Sequence, residues 1–289
     1  MTKIDDVLAG LADQRYLADR GIASAVQLAI ELPRPLLLEG DAGVGKTELA
    51  KAIAAMRGAR PIRLQCHDGI DRSEALYAWD YPRQLLHLRA GEISGQASGT
   101  TALYSDQFLL ARPLLEAVRQ GSKAVLLIDE IDRADDEFEA FLLEILSDFQ
   151  VTIPELGTIT ADAPPVVILT SNRTRELSDA LRRRCLYHWI GHPDHQREVA
   201  IICLRAPDVP AVVAEHVASL IRNLRELDLY KPPGVAESID WARVLTARNG
   251  DPQLWTPADL IETLGVVIKD HDDQMAAAAR LAQLIEDAG

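Results

Sequence analysis

The sequence has 289 residues and a formal net charge of −14 at pH 7, and 48% of its residues are hydrophobic. A surface this acidic argues against bulk nucleic acid or an anionic membrane as the main partner, because both require clustered lysine and arginine. The three cysteines are far apart, and the sequence shows neither a signal-peptide pattern nor an apolar run long enough to span a membrane, so we expect a cytoplasmic protein.

Two helices are predicted in the first 34 residues, and the second of them covers 22–32 and ends at Pro33. A short segment containing Tyr16 and Leu17 lies between them. Beside a nucleotide site these two side chains could form a wall for the adenine base, and ordinary packing of a terminal helix is the alternative.

A phosphate-binding loop is indicated by the stretch GDAGVGKT, which matches G-x-x-x-x-G-K-[ST]. It lies between a buried strand predicted over 35–39 and a helix predicted over 48–57, which is the context that the motif requires. Glycines let backbone N–H groups surround a phosphate, and the helix N-terminus adds a positive field. We predict that Lys46 contacts the β- and γ-phosphates of ATP and that Thr47 holds Mg²⁺. The predicted nucleotide-binding positions in this stretch are Gly40, Asp41, Ala42, Gly43, Val44, Gly45, Lys46, Thr47 and Glu48.

Aromatic residues are concentrated in an insertion predicted over about 70–108. It follows a strand predicted over 61–65, whose last residue, Gln65, could face the active site. Helices are predicted over 71–78 and 109–118, with a flexible, glycine-containing loop between them. Exposed aromatic side chains on an insertion are typical of partner contacts, and packing of the insertion on the core is the alternative. The aromatic residues concerned are Tyr77, Trp79, Tyr81 and Tyr104.

Two adjacent carboxylates follow a strongly apolar strand that is predicted over 124–128. An apolar strand that ends in two acids, downstream of a phosphate-binding loop, indicates the second half of a nucleotide site. We predict that Asp129 holds Mg²⁺, directly or through water, and that Glu130 orients and deprotonates the attacking water.

A helix is predicted over 135–149, with Asp135 as its N-cap and one apolar face. A β-hairpin is predicted after it, within about 149–165. A further buried strand over 166–170 is followed by Asn172, whose amide could bind the γ-phosphate or the attacking water.

Three consecutive arginines, Arg182, Arg183 and Arg184, end a short helix that precedes the last predicted strand, over 186–190. Such a run is commonly a solvated helix face. The alternative is an arginine finger that reaches the ATP of a neighbouring subunit, and the nucleotide motifs upstream favour this alternative.

From residue 191 onward the sequence predicts only helices, which would form a smaller domain over 191–289 that caps the nucleotide. The α/β nucleotide-binding domain would then cover 1–190. Three histidines and a cysteine near this boundary lack the paired spacing of a metal site. A GTPase would require [NT]-K-x-D after the second nucleotide motif, where the sequence has none.

In this order along the chain, the loop, the two acids, Asn172 and the arginines resemble the motifs of the AAA+ ATPases, which are P-loop NTPases. The stretches LLLEGDAGVGKT, VVILTSN and RRRCLYHW are similar to the MoxR branch of that family. Longer stretches are similar to the MoxR-type accessory proteins for maturation of carbon monoxide dehydrogenase and related molybdenum hydroxylases, among them ALYAWDYPRQLLHLR and LLIDEIDRADDEFEAFLLEILSDFQVTIPELGTI.

This resemblance implies an α/β fold with a five-stranded parallel sheet between helices, an all-α lid and a ring, usually of six subunits. It implies ATP hydrolysis between subunits with Mg²⁺, with Arg183 or Arg184 acting in trans and Arg184 as the first choice. It also implies a von Willebrand A-domain partner and a metalloenzyme client. One departure concerns the start of a late lid helix, where many MoxR relatives carry an arginine and this chain has none over 234–238. Arg243 lies further along.

Two functions remain open on the sequence. The first is an ATP-driven remodeller that helps a metalloenzyme to mature, in which hydrolysis shifts the lid and the insertions. The second is a nucleotide-gated assembly platform in which ATP binding matters more than turnover.

Overall fold

The computed structural model describes residues 3–94 and 103–286. The chain divides into two compact units. The first unit contains residues 1–14, 18–39 and 47–189, and the second contains residues 15–17, 40–46 and 190–289. The phosphate-binding loop is thus grouped with the C-terminal region, and the two acids with the first unit.

The elements before residue 190 alternate between helices and strands, as expected of an α/β protein. The helices are α1 (Ile4–Asp13), α2 (Arg20–Glu31), α3 (Lys46–Met56), α4 (Arg72–Ala75), α5 (Tyr81–Ser94), α6 (Pro113–Gln120), α7 (Asp136–Asp148) and α8 (Asp179–Arg184). The strands are β1 (Leu36–Glu39), β2 (Arg60–Gln65), β3 (Tyr77–Trp79), β4 (Leu109–Ala111), β5 (Ala124–Asp129), β6 (Gln150–Ile153), β7 (Gly157–Thr160), β8 (Val166–Ser171) and β9 (Leu186–Trp189).

Five strands form one parallel sheet in the order β2-β5-β8-β1-β9, which confirms the predicted fold class. The central strands β5 and β8 are buried along their whole length, as expected for a sheet that has helices on both faces. Because all five strands run in the same direction, their carboxyl ends meet at one edge of the sheet. The polar residues at the ends of β2, β5 and β8 are therefore brought to the same place.

The apolar periodicity of α7 is confirmed, because its buried residues lie in one face that packs against the core of the first unit. The predicted hairpin is also present, since β6 and β7 pair in antiparallel register. The buried residues of α7 include Phe138, Phe141, Leu142, Ile145 and Leu146.

The two helices predicted in the aromatic insertion are partly wrong. The helix expected over 71–78 ends at Ala75, and the next three residues form β3, which pairs with β4 in antiparallel register. The helix expected over 109–118 begins only at Pro113. Proline is well suited to the first turn of a helix, and the backbone before it favours an extended conformation, which allows β4 to form.

The aromatic side chains of the insertion do not all share one environment. Trp79 is buried in the core and contacts the rings of Tyr77 and Tyr104 edge to face, with centroids 6.1 and 5.3 Å away. Tyr81, in contrast, is 65% exposed. The sequence predicts a flexible loop soon after Leu88, but α5 continues to Ser94, and residues 95–102 of the predicted loop lie outside the described residues.

The N-cap of α7 gives a first testable expectation. Asp135 Oδ1 accepts a hydrogen bond of 2.8 Å from the backbone N–H of Phe138, as the sequence predicts. We expect Asp135→Ala to lower the free energy of unfolding by about 1 kcal/mol, because one N–H of the first turn loses its acceptor. Urea unfolding followed by circular dichroism measures this, and Glu144→Ala on the exposed face of the same helix is the control, expected to stay within about 0.5 kcal/mol. Equal losses in both variants would contradict the capping role.

The second unit is helical after residue 190. Its helices are α9 (His195–Arg205), α10 (Ala211–Arg225), α11 (Val235–Arg248), α12 (Pro257–Thr263) and α13 (His271–Glu286). They enclose a core of their own, in which Trp241 is fully buried and donates a hydrogen bond to Thr263. Among the described residues, no helix is both long and apolar enough to cross a bilayer.

Candidate nucleotide site

Asp129, the last residue of β5, lies at the centre of a network of polar contacts in the first unit. Its Oδ1 accepts hydrogen bonds from the hydroxyls of Thr47 at 3.0 Å and Thr170 at 2.6 Å. Its Oδ2 accepts from Arg63, at 2.6 Å from Nη2 and 3.0 Å from Nε. The Asp129 side chain is only 4% exposed, and its bonds from the Arg63 guanidinium are of the charge-assisted kind. Thr47 and Asp129, which the sequence predicts as Mg²⁺ ligands, are in direct contact, and their oxygens are the hard ligands that Mg²⁺ prefers.

Glu130 follows directly and adopts the left-handed backbone conformation, with φ 55° and ψ 50°. This conformation is uncommon for residues other than glycine, and here the Glu130 N–H donates to the Thr170 hydroxyl at 2.9 Å. The Glu130 carboxylate accepts a 3.0 Å hydrogen bond from the Gln65 side-chain amide and lies 3.8 Å from Arg133. The carboxylate is 36% exposed, so water can approach it, and Glu130 is suited to act as a general base.

Asn172 follows β8 and lines the same cavity as Glu130, which has a volume of about 680 Å³. The loop that carries Asn172 is held by the buried carboxylate of Asp132. Its Oδ2 accepts from the backbone N–H groups of Asn172 at 3.2 Å and Thr174 at 2.8 Å. Glu130 and Asn172 therefore line one cavity, and Asp132 holds the loop that carries Asn172.

The three arginines of α8 have different environments. Arg184 donates to the Leu143 carbonyl at 3.1 Å and contacts the Ser147 hydroxyl, so its side chain lies along α7. Arg182 pairs with Glu39 at 3.3 Å. All three side chains are exposed, and Arg183 and Arg184 line a cavity of about 330 Å³ that contains neither Asp129 nor Glu130. Within one chain the arginines are thus separate from the two acids.

Residues 40–46 of the phosphate-binding loop belong to the second unit. The Lys46 ammonium donates to the carbonyls of Gly40 and Asp41, at 2.7 Å each, and so closes the loop on itself. Gly43 and Gly45 have φ angles of 77° and 95°, which residues other than glycine rarely adopt. The motif therefore has the backbone conformation that its glycines predict.

Tyr16 and Leu17, the predicted adenine wall, are grouped with this loop in the second unit. A Cβ atom placed on Gly45 would lie 3.7 Å from the Tyr16 ring, so the ring lies close to the loop. The Leu17 carbonyl accepts hydrogen bonds from Arg197 at 2.7 and 3.1 Å. The segment is therefore held against α9 as well as the loop.

The start of α11 also contacts the loop, because the Val235 N–H donates to the Gly43 carbonyl at 3.1 Å. Ser238 is in the first turn of this helix and donates to the buried carboxylate of Glu198 at 2.6 Å. Arg243, the first arginine of α11, donates to the Arg205 carbonyl at 3.0 Å. The part of α11 nearest the loop thus presents no arginine to it.

The close approach of α11 to the loop gives a second expectation. A Cβ atom on Gly234 would lie 2.8 Å from the Ala42 carbonyl oxygen and 2.8 Å from the Gly43 Cα. We expect Gly234→Ala to lower the free energy of unfolding by about 1–3 kcal/mol, because two backbone segments must move apart.

Thermal unfolding measures the effect of Gly234→Ala. The control is Gly250→Ala in the same unit, where the new Cβ would lie 3.9 Å from the Thr246 carbonyl oxygen, an ordinary contact distance. A Gly234→Ala protein that is as stable as Gly250→Ala would show that this approach is looser than the distances indicate.

Two groups near the site have shifted pKa values. Burial, with a further contribution from the Asp129 charge, raises the pKa of the Cys66 thiol to about 12, so the thiol stays protonated and unreactive at neutral pH. In the second unit, burial and then the Arg225 charge lower the pKa of His192, although Asp41, Glu198 and Glu237 oppose this shift. His192 is therefore neutral at pH 7.

Sequence reasoning missed Arg63, Thr170 and Asp132. The signal for Arg63 was present, because Arg63 and Gln65 are two residues apart on a strand and so share a face. Thr170 is the last residue of the strand predicted over 166–170 and lies two residues before Asn172. Asp132 gave no pattern of its own, since a single acid after a strand is common.

Comparison with known proteins gives the following similarities. A family model described as AAA domain (dynein-related subfamily) matches residues 35–185. The ATP-binding subunit ClpL of an ATP-dependent Clp protease from Lactococcus lactis is 29% identical over 136 residues, 47% of this chain and 16% of that protein. The chaperone protein ClpB of Leptolyngbya boryana is 30% identical over 183 residues, 60% of this chain and 18% of that protein. This chain therefore spans less than a fifth of either relative.

The structure of NtrX from Brucella abortus, solved in complex with ATP, is similar in fold. It has a TM-score of 0.51 at 13% identity, and the match covers 86% of this chain and 54% of NtrX. At this identity the similarity concerns the fold alone.

Proposed function

The chain belongs to the AAA domain family, dynein-related subfamily, and from this premise we propose that it is a Mg²⁺-dependent ATPase that remodels a protein client. The observation that carries the proposal is the contact of Thr47 with Asp129, next to Glu130 in the cavity that Asn172 lines. Thr47 is joined by a peptide bond to Lys46, which closes the part of the phosphate-binding loop that belongs to the second unit. We propose that loop and carboxylates bind the same nucleotide.

In this mechanism each residue has one task. The N–H groups of loop 40–46 and the Lys46 ammonium bind the phosphates, and Thr47 and Asp129 hold Mg²⁺, which neutralises charge on the phosphates when bound. Glu130, oriented by Gln65, accepts the proton of the attacking water. The Asn172 amide orients that water or the γ-phosphate. Tyr16 and Leu17 are proposed to border the base.

We propose that Arg183 of one subunit completes the site of its neighbour in a ring. Both side chains are exposed, but Arg184, the first choice from the sequence, is bonded to the Leu143 carbonyl of α7, whereas the side chain of Arg183 has no such bond in the described structure. An exposed guanidinium that lies away from the nucleotide site of its own subunit can stabilise the negative charge that develops on the phosphates bound by a neighbouring subunit.

Mixing of inactive variants tests this role. Neither Arg183→Ala nor Glu130→Gln should turn over ATP alone, but an equal mixture should form about a quarter of its interfaces from an intact Glu130 and an intact Arg183. Partial recovery of phosphate release on mixing is the expected result. No recovery in rings shown to exchange subunits would contradict action in trans. A second mixture, of Arg184→Ala with Glu130→Gln, compares the two arginines.

We further propose that the client is a metalloenzyme of the molybdenum-hydroxylase type, engaged by a ring of six subunits through a von Willebrand A-domain partner. The support is the sequence similarity of 62–189 to the MoxR-type accessory proteins. The three thiols are free, which is compatible with the reducing cytosol that we propose as the location.

The experiment that tests this proposal is a pull-down with Glu130→Gln protein loaded with ATP and Mg²⁺, because a variant that binds without turnover keeps its client. Lys46→Ala protein is the matched control that cannot load. Recovery of a metalloenzyme or an A-domain protein with the first variant only is expected. Recovery of nucleic acid alone would overturn the client proposal, and wild-type protein that binds ATP but releases no phosphate even with its partner would favour the assembly platform.

A further inference from the structure

Both oxygens of the Asp129 carboxylate are occupied in this structure. Two hydroxyls donate to Oδ1, while Oδ2 accepts from two nitrogens of the Arg63 guanidinium, at 2.6 and 3.0 Å. The Thr47 hydroxyl also lies 3.4 Å from Oδ2, so the short bonds to this oxygen of the proposed Mg²⁺ ligand come from Arg63. The arginine is 55% exposed on β2, an edge strand of the sheet, so its side chain has room to leave.

The same guanidinium also reaches the proposed base through one intervening residue. Arg63 Nη2 contacts the Gln65 side-chain oxygen, and the Gln65 amide donates to the Glu130 carboxylate at 3.0 Å. The contact with Arg63 fixes which end of the Gln65 amide faces Glu130. The orientation of the base and the charge balance of the metal ligand therefore depend on one cation.

A guanidinium and a divalent cation cannot share a buried carboxylate without cost, because like charges repel strongly where water is excluded. Resting on the proposed function, we infer that Arg63 is a positioning residue that competes with Mg²⁺ for Asp129. In the nucleotide-free site it neutralises Asp129 and holds Gln65. It thereby sets the Mg²⁺ concentration at which the nucleotide site becomes loaded.

A merely structural role for Arg63 makes a different prediction. If the ion pair only stabilised β2 against β5, its removal would lower the stability of the protein and leave the Mg²⁺ requirement unchanged. The competition predicts instead that removal of the charge makes Mg²⁺ bind more readily. The two roles are therefore separated by a metal titration and not by activity.

The test uses the full chain with a fluorescent N-methylanthraniloyl derivative of ATP, first in EDTA and then with increasing Mg²⁺. For Arg63→Gln we expect the half-saturating Mg²⁺ concentration to fall at least about fivefold, with nucleotide affinity in EDTA changed less than about twofold. Arg63→Met keeps the aliphatic stem and should show the same fall if Arg63→Gln does not fold. Arg63→Lys keeps the charge and should remain close to wild type.

The control is Arg60→Gln on the same strand, because Arg60 pairs with Glu116 at 2.6 Å and has no contact with Asp129 in the described structure. It should leave the Mg²⁺ titration unchanged. An equal or higher Mg²⁺ requirement in Arg63→Gln and Arg63→Met would overturn the inference while the proposed function stands. Wild-type protein that binds no nucleotide with or without Mg²⁺ would instead overturn the proposed function itself.

Discussion

Glu130→Gln is expected to lower kcat for ATP hydrolysis by a factor of about 10² to 10⁴ and to leave ATP binding intact. The amide has the size of the carboxylate but cannot accept the proton of the attacking water. The substitution does not change the left-handed backbone conformation at this position, and the hydrogen bond from the backbone N–H to the Thr170 hydroxyl remains. The Thr47–Asp129 contact is also untouched, so the binding of nucleotide with Mg²⁺ should persist.

Single-turnover phosphate release measures the chemical step of Glu130→Gln, and equilibrium binding measures the nucleotide affinity. Glu155→Gln is the matched control, since this glutamate is exposed in the β6–β7 turn and should keep wild-type kinetics. Wild-type turnover in Glu130→Gln would refute its assignment as the base. A loss of binding that equals the loss of turnover would mean that Glu130 acts on the ground state instead.

Asp129 and Glu130 could be predicted because their chemistry depends on local sequence. A continuous apolar strand that ends in two acids has few other uses once a phosphate-binding loop precedes it. Arg63 could not be assigned in the same way, because its role depends on the register between two strands. The pairing of β2 with β5 places Gln65 opposite Asp129 and Arg63 opposite Leu127, and only this register brings the guanidinium to the carboxylate.

The errors in the aromatic insertion have a similar origin. The sequence around Tyr77 is compatible with a helix on local propensity, but β3 pairs with β4, which lies about thirty residues further along the chain. Pairing of this kind buries Trp79 and overrides a weak local preference. The cap at Asp135 and the apolar face of α7 were predictable because both are determined within a single helix.

The contact between α11 and the phosphate-binding loop could not be predicted either. The absence of an arginine over 234–238 is visible in the sequence, but the contacts that the residues of this stretch make are not. Ser238 is directed to Glu198, and that carboxylate in turn binds Arg225 at 2.6 and 2.8 Å in the core of the second unit. The residue is thus part of a buried polar network, which must be fully paired to avoid a desolvation cost.

Lys46→Ala is expected to weaken ATP binding by about 100-fold or more, since each hydrogen bond from a charged donor contributes about 1.5–3 kcal/mol and each 1.4 kcal/mol is tenfold in affinity. In this structure the ammonium donates to the carbonyls of Gly40 and Asp41, so its removal also leaves these two acceptors without their donor. The loop then loses both the cation for the phosphates and the bonds that close it. Lys46→Arg should not restore binding, because the planar, longer guanidinium does not replace a compact ammonium.

Calorimetric titration with ATP measures the affinity of Lys46→Ala, and circular dichroism shows whether the protein is folded. The matched control is Lys51→Ala on the same helix, where the lysine is exposed and pairs with Glu48 at 2.6 Å. Surface ion pairs of this kind contribute little to the stability of the fold, so Lys51→Ala should bind ATP within about twofold of wild type. Tight binding by folded Lys46→Ala protein would mean that the loop is only a glycine-rich turn. The tasks proposed for Thr47, Asp129 and Glu130 would then have no phosphate chain on which to act.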